Sequence, residues 1–234
     1  MNHVIVRNVP RPDSAAVATL GRLGVSTSHE AMGKSGLVEP VLRAIYPGAR
    51  IAGRAITVLS HPGDNLMIHA AIEVCEPGDI LVVTTTSPST DGMFGDLFAT
   101  SLKARGVLGL VINAGVRDVA DLTKMDFPVW SRAVHSQGTA KNNPGSVNVP
   151  IILPGVSVSP GDTIIADDDG VVVVPLGREG AVASAAQERE IRESEKKEQF
   201  SNGILGVDLY NLRSTLADLG VRYVDSMDDA NMEF

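Results

Sequence analysis

The 234-residue chain has one cysteine, Cys75, so no disulfide can form within it. Cys75 falls on an apolar helical face with nothing nearby to activate a thiolate, and it reads as core packing. No hydrophobic run reaches the ~20 residues of a membrane span, and the N-terminus lacks the apolar core of a signal peptide. A soluble, cytoplasmic protein is the expectation. Positive charge is short: 20 Lys and Arg stand against 28 Asp and Glu, a formal charge of −8. That sign argues against nucleic acid or an anionic membrane as the main partner. A local Arg and a bound cation can still hold a small anionic substrate.

Missing motifs narrow the chemistry. His3, His29, His61, His69 and His135 form no His-x-His or His-x-x-x-His pair, and there is no Cys pair, so a zinc site of the usual N/S kind is not expected. His29 and His69 read as ordinary helix residues. No Gly-x-Ser-x-Gly, Walker loop or Gly-x-Gly-x-x-Gly occurs, which argues against a serine hydrolase, a P-loop NTPase or an ordinary dinucleotide fold. All six lysines fall on charged helix faces or in loops; none stands in an apolar strand, where a Schiff-base lysine usually sits.

What is present suits one ample domain: 44% hydrophobic residues, no internal repeat and no linker. Strand and helix signals alternate over the first two thirds. Helices are expected over 13–23, from a capping box at Thr27-Ser-His-Glu30, and over 66–75, 96–105 and 118–125. Strands are expected over 50–59, 80–86 and 108–113. Residues 87–95 read as a solvated or substrate-facing loop without a hydrophobic stripe. Short β-like runs fill 128–175, with Asp169-Gly170 as a tight turn. A long charged helix over 178–200, with Ala181, Val182 and Ala185 as its early apolar positions, is too polar to be buried along its length. It is expected to end in solvent or on a neighbour. An amphipathic helix follows over 204–217. An α/β body, 1–177, with a C-terminal helical arm, 178–234, is the simplest account.

The most informative feature is a pair of acidic loops: Gly95-Asp96, twenty residues, then Arg117-Asp118. Each follows a strand signal and opens a helix, so two neighbouring parallel strands would deliver two carboxylates and a guanidinium to one edge, where α/β sheets bind ligands. For either Asp alone, stabilising a helix N-terminus is sufficient reason to be there. An Arg in that position opposes the helix dipole, and an anionic ligand would explain it. Two carboxylates suit a hard cation, Mg²⁺ or Mn²⁺, which keeps waters and takes substrate oxygens. Asp167-Asp168-Asp169-Gly170 lacks calcium-loop spacing and reads as a surface turn. Gly63-Asp64-Asn65 is open to two readings, backbone N–H groups for an anion or a plain capped turn.

These segments resemble the class II pyruvate aldolases that cleave 4-carboxy-4-hydroxy-2-oxoadipate and 4-hydroxy-4-methyl-2-oxoglutarate. The likeness runs nearly end to end. It includes Val25-Ser-Thr-Ser-His-Glu-Ala-Met-Gly33, Pro62-Gly-Asp-Asn65, Gly95 to Gly106, Ile112 to Val119, Phe127-Pro-Val-Trp-Ser131, Gly161-Asp162, Ala166 to Val171 and Gly203-Ile-Leu-Gly-Val-Asp208. The Asp-x20-Arg-Asp element alone is shared with regulators of ribonuclease E, of the same β/β/α fold without this chemistry. The flanking matches, the charged arm and Glu30 favour the aldolase branch.

The resemblance implies a single β/β/α swivelling-type α/β domain whose C-terminal arm packs on neighbouring subunits of a homotrimer or homohexamer. Asp118 would be the direct ligand of Mg²⁺ or Mn²⁺, and Asp96 would reach the metal through water. Arg117 would bind the keto acid and the enolate. Backbone N–H groups near Gly95 and Leu97 would take the pyruvyl carboxylate, with Asn65 lining the pocket. Glu30 and Glu193 would be catalytic residues, with Arg117 and Asp96, and would come from a neighbouring subunit. The implied activity, in aromatic-acid catabolism, is metal-dependent retro-aldol cleavage of a keto diacid, with oxaloacetate decarboxylation on the side.

Overall fold

A computed structural model describes residues 3–230. In chain order it contains α1 (Ser14–Leu23), α2 (Val25–Ala31), β1 (Arg43–Ala44), β2 (Ile51–Ser60), α3 (Leu66–Ile72), β3 (Asp79–Thr85) and β4 (Gly92–Phe94). Then come α4 (Asp96–Ala104), β5 (Gly109–Val116), α5 (Val119–Lys124), β6 (Val129–Val134), β7 (Ser146–Val147), β8 (Ile151–Leu153) and β9 (Val156–Val158). The chain continues through β10 (Thr163–Asp167), β11 (Gly170–Val174), α6 (Glu179–Ser201), α7 (Gly206–Leu209) and α8 (Leu212–Asp218) to a 3₁₀ turn at Asp228–Ala230.

The main sheet runs β1-β6-β5-β3-β2-β10-β11, with β4 also pairing β5 and β7 also pairing β2. Strands β2, β3, β5 and β6 are parallel to their neighbours within this set. Strands β1, β7, β10 and β11 pair antiparallel. The central strands are apolar on both faces because both faces are covered. On one face Ile56, Val58, Leu81, Val83, Leu110 and Ile112 pack with α3, α4 and α5. The alternate residues Ala55, Ile80, Val82, Val111 and Trp130 pack with Leu42, Ile151 and Leu153. A third cluster joins α1, α2 and the start of α6 to Ile165, Val172 and Val174. The result is a mixed α/β fold, as expected, and its sheet is nearly closed.

Several local expectations change. Helix α2 begins at Val25, not behind a Thr27 capping box. Gly24, at φ 86°, ends α1 and starts α2, and Asp167 Oδ2 accepts the Val25 N–H at 2.9 Å in place of a hydroxyl cap. Helix α3 ends at Ile72, so Cys75 lies beyond it, although its side chain is still buried in the core. Burial pushes its thiol up to about 12. The β10–β11 turn is Asp168-Asp169, one residue earlier than expected. In α6 the buried apolar side chains are Val182, Ala183 and Ala186; Ala181 is exposed. The expected 204–217 helix is two short ones, broken at Asn211 with φ 52°.

The chain divides into two compact units between Arg189 and Glu190, within α6. Among the described residues no helix is long and apolar enough to cross a membrane.

Candidate active site

The segment after β3 carries the first surprise. Residues 87–95 are not wholly loop: Gly92–Phe94 forms β4, and Met93 and Phe94 are fully buried. Strand β4 pairs with the end of β5 through Gly92↔Gly115 and Phe94↔Val116. The Arg117 N–H donates to the Phe94 carbonyl at 2.9 Å. Gly95-Asp96 and Arg117-Asp118 therefore leave the sheet side by side, at the carboxyl ends of parallel strands.

The two aspartates behave differently there. Asp96 is the first residue of α4, and its Oδ1 accepts the Leu97 N–H at 2.8 Å, so it does serve the helix N-terminus. Asp118 occupies the N-cap position of α5 but caps nothing with its side chain. Its backbone is left-handed, φ 59° and ψ 37°, a conformation that costs energy in any residue with a Cβ, although Asp tolerates it better than most. Its Oδ2 instead accepts the Asp96 N–H at 3.3 Å and lies 3.5 Å from Arg117 Nε. Helix capping thus accounts for Asp96 in part, whereas the Asp118 side chain does nothing for its own helix and meets the first N–H of α4 instead.

These groups line a cavity of about 300 Å³ with Asn65, His69 and Lys141, closed by an apolar wall that includes Ile72, Met93, Phe94 and Phe98. Of the residues singled out in the sequence, Asn65, Gly95, Asp96, Leu97, Arg117 and Asp118 line it; Glu30 and Glu193 do not. Glu30, on α2, lies 3.5 Å from Arg189 and 3.9 Å from Lys34. The N–H groups of Asp96 and Leu97 are already engaged by carboxylates, so a ligand carboxylate would have to displace or share those contacts. Asn65 Nδ2 donates to the Met93 carbonyl at 3.2 Å, and its Oδ1 is buried with no partner.

Two lining residues escaped sequence reasoning. His69, on α3, packs its ring 4.4 Å from that of Phe98. Burial first, and the Lys141 ammonium second, lower its pKa. Lys141 comes from a non-periodic segment, 135–145, so no spacing rule could place it. The sequence reading of Gly63-Asp64-Asn65, an anion site or a capped turn, did not extend to it. Those three residues form a capped turn: Asp64 Oδ1 accepts the Leu66 N–H at 2.9 Å.

Among the described residues no group of three or more His, Cys, Asp or Glu could hold a metal. The cavity offers two carboxylates, Asp96 and Asp118. That set does not fit zinc, but it fits Mg²⁺ or Mn²⁺, which take one or two carboxylates and complete their shell with water and substrate oxygens. Asp167, Asp168 and Asp169 accept bonds from Val25 N–H, Gly48 N–H and the Ser26 hydroxyl respectively, the structural turn expected of them.

A protein of Halalkalibacterium halodurans named "Putative 4-hydroxy-4-methyl-2-oxoglutarate aldolase" is 30% identical over 72% of this chain and 80% of its own. One of the same name from Burkholderia multivorans is 32% identical over 66% of this chain and 96% of its own. The crystal structure of Streptomyces coelicolor RraAS2, an unusual member of the RNase ES inhibitor RraA protein family, superposes with a TM-score of 0.71 at 28% identity, covering 81% of this chain and 99% of that one. Residues 25–173, carrying every lining residue named above, match the RraA-like family, Aldolase/RraA, and the chain belongs to that family.

Proposed function

We propose that this chain is a divalent-cation-dependent lyase. It cleaves 4-carboxy-4-hydroxy-2-oxoadipate to pyruvate and oxaloacetate, and 4-hydroxy-4-methyl-2-oxoglutarate to two pyruvates. Decarboxylation of oxaloacetate would be a side activity. The observation that carries the reading is the Asp118 carboxylate, turned away from its own helix towards Arg117 and the start of α4 in one cavity. The names of the relatives support the aldolase class.

In the reaction the C4 hydroxyl loses its proton, C4 becomes a carbonyl, and the C3–C4 bond breaks with its electron pair left on C3. Protonation of C3 then yields pyruvate. Arg117 holds the keto acid by a planar two-point contact and sets a fixed positive charge where the enolate develops. Mg²⁺ or Mn²⁺, held by Asp118 directly and by Asp96 through water, would supply Lewis-acid polarisation of the keto group. Asp96 orients the water that carries protons to and from the substrate. Lys141 at the rim adds a second cation for a substrate with more than one carboxylate. Glu30, from α2, and Glu193, from the arm 178–234, come from a neighbouring subunit of a homotrimer or homohexamer.

The likeness to RraAS2 keeps a second reading, a non-catalytic binding protein that regulates a ribonuclease. Pyruvate release from the two substrates, coupled to lactate dehydrogenase in the presence of Mg²⁺, separates the two. Turnover supports the lyase. No turnover with either metal, together with inhibition of a ribonuclease E-type enzyme, supports the regulator.

A further inference from the structure

Asp64 is 1% exposed. Its Oδ1 accepts the Leu66 N–H, at the first turn of α3. Its Oδ2 accepts three bonds: Asn142 N–H at 2.7 Å, Asn143 N–H at 2.9 Å and Asn143 Nδ2 at 3.1 Å. Backbone bonds reinforce the junction, from Asn65 N–H to Ala140 O at 3.0 Å and from Ala140 N–H to Gly63 O at 2.9 Å. No Lys or Arg pairs with this carboxylate among the described residues. Its charge is held by N–H donors alone, and these outweigh the burial that opposes ionisation, so its pKa is lowered. A buried carboxylate with four donors makes a stiff junction. The two segments it joins both reach the cavity: α3 and its N-cap residue bring His69 and Asn65, and Lys141 stands between Ala140 and Asn142, two tethered residues.

We infer that Asp64 is a positioning residue: it fixes the Lys141 segment against the start of α3, so that the Lys141 ammonium stands at the rim of the cavity beside His69. A lysine on an untethered loop would spend most of its time elsewhere, since its four-carbon stem has many rotamers. Asp64 touches neither cavity nor ligand; it acts through Lys141. The kinetic consequence rests on the keto-diacid reading above, whereas the placement of Lys141 does not.

The test is a cycle of Asp64→Asn, Lys141→Ala and the double variant. Asn keeps the shape but turns an NH₂ group towards one set of donors. For a 4-hydroxy-2-keto diacid, Asp64→Asn should raise KM roughly 10-fold, the loss of one charge-assisted contact, and leave kcat within about threefold. In the Lys141→Ala background the same change should move KM less than about twofold, because residues in one network are not additive. NMR titration of His69 gives a reading independent of catalysis. Asp64→Asn should raise its pKa as the ammonium departs, and should not do so once Lys141 is gone. An unchanged KM, a dominant loss of kcat, full additivity or an unmoved His69 titration overturns the inference. Should Asp64→Asn fail to fold, Asn143→Ala, which removes one side-chain donor, must shift KM and His69 in the same directions and depend equally on Lys141. If the wild type cleaves no keto diacid, the lyase reading has failed and the His69 titration alone decides the role of Asp64.

Discussion

The Asp118 carboxylate occupies the space that a side chain on Gly95 would need. A Cβ on Gly95 would stand 2.2 Å from Asp118 Oδ2 and 3.2 Å from Arg117 Cγ. Gly95 itself is extended, φ −156° and ψ −167°, a conformation open to any residue. Gly95→Ala is thus a steric probe of the carboxylate and little else. Displacing it by about 1 Å should lower kcat on the order of 10²-fold, with the melting temperature nearly unchanged. Steady-state kinetics and a thermal melt check both halves. A variant with full kcat would show that the position of Asp118 against α4 is irrelevant to turnover.

Arg117→Lys and Asp118→Asn should each abolish most activity. Lys keeps the charge but not the planar fork, and one lost contact to a developing oxyanion costs roughly 10²–10³ in kcat. Asn preserves the left-handed backbone at position 118 and removes only the negative charge. Since the Asp118 side chain caps nothing in α5, Asp118→Asn should melt within a few degrees of wild type. A collapse of stability would restore a structural role to Asp118.

Activity should require a divalent cation. Chelation should remove it and Mg²⁺ or Mn²⁺ should restore it, because the cavity offers two carboxylates and oxygen donors. Borohydride should trap no substrate adduct on Lys141, the cavity's lysine. Full turnover in a verified metal-free sample would sink the assignment of Asp118 as ligand.

How far the sequence was legible follows from the physics of each segment. Asp13 was readable as a helix start, and it accepts from Ala15 and Ala16 N–H. The central strands were readable as apolar runs. Strand β4 was not, because three residues are too few to show a period and Met93 and Phe94 sit in a Ser-, Thr- and Gly-rich context. That strand explains why Asp96 lies beside Asp118, so the pairing was foreseen while the element that produces it was missed. The α2 start was misplaced because its cap is Asp167, 142 positions away. Asn142 and Asn143, which follow Lys141, are bonded to Asp64, 78 and 79 positions earlier in the chain, and no local pattern encodes such a tether.

At the other end of the sheet a buried ion pair joins β2 to β3. Arg54 on β2 and Asp79 on β3 face each other in register, with Nε–Oδ1 at 2.8 Å and Nη2–Oδ2 at 2.9 Å, and both are buried. Asp79→Ala would remove the two-point partner of the buried guanidinium and leave it Glu76 Oε2 and the Val9 carbonyl, each at 3.0 Å; it should cost about 3 kcal/mol, a fall in melting temperature on the order of 10 °C for a chain of this length. Asp79 opens β3, at the end of the strand remote from the cavity, so kcat below the transition should stay near wild type. Calorimetry and kinetics on one sample test this. A large kcat loss without destabilisation would contradict it.

Glu30 and Glu193, the acids that the resemblance assigns to catalysis, are absent from the cavity lining, whereas Arg117 is present. If the acids act from a neighbouring chain, Arg117→Ala and Glu193→Ala damage different chains of one shared site. Each variant alone should be nearly inactive. Mixed under conditions that allow subunit exchange, they should regain part of the activity, because some interfaces then join an intact Arg117 to an intact Glu193. Native mass spectrometry must first establish that mixed oligomers form. Mixed oligomers without recovered activity would return Glu193 to its own chain or remove it from catalysis, and repeating the mixture with Glu30→Ala would separate the two acids. A fully active monomer in solution would rule out the shared site for both.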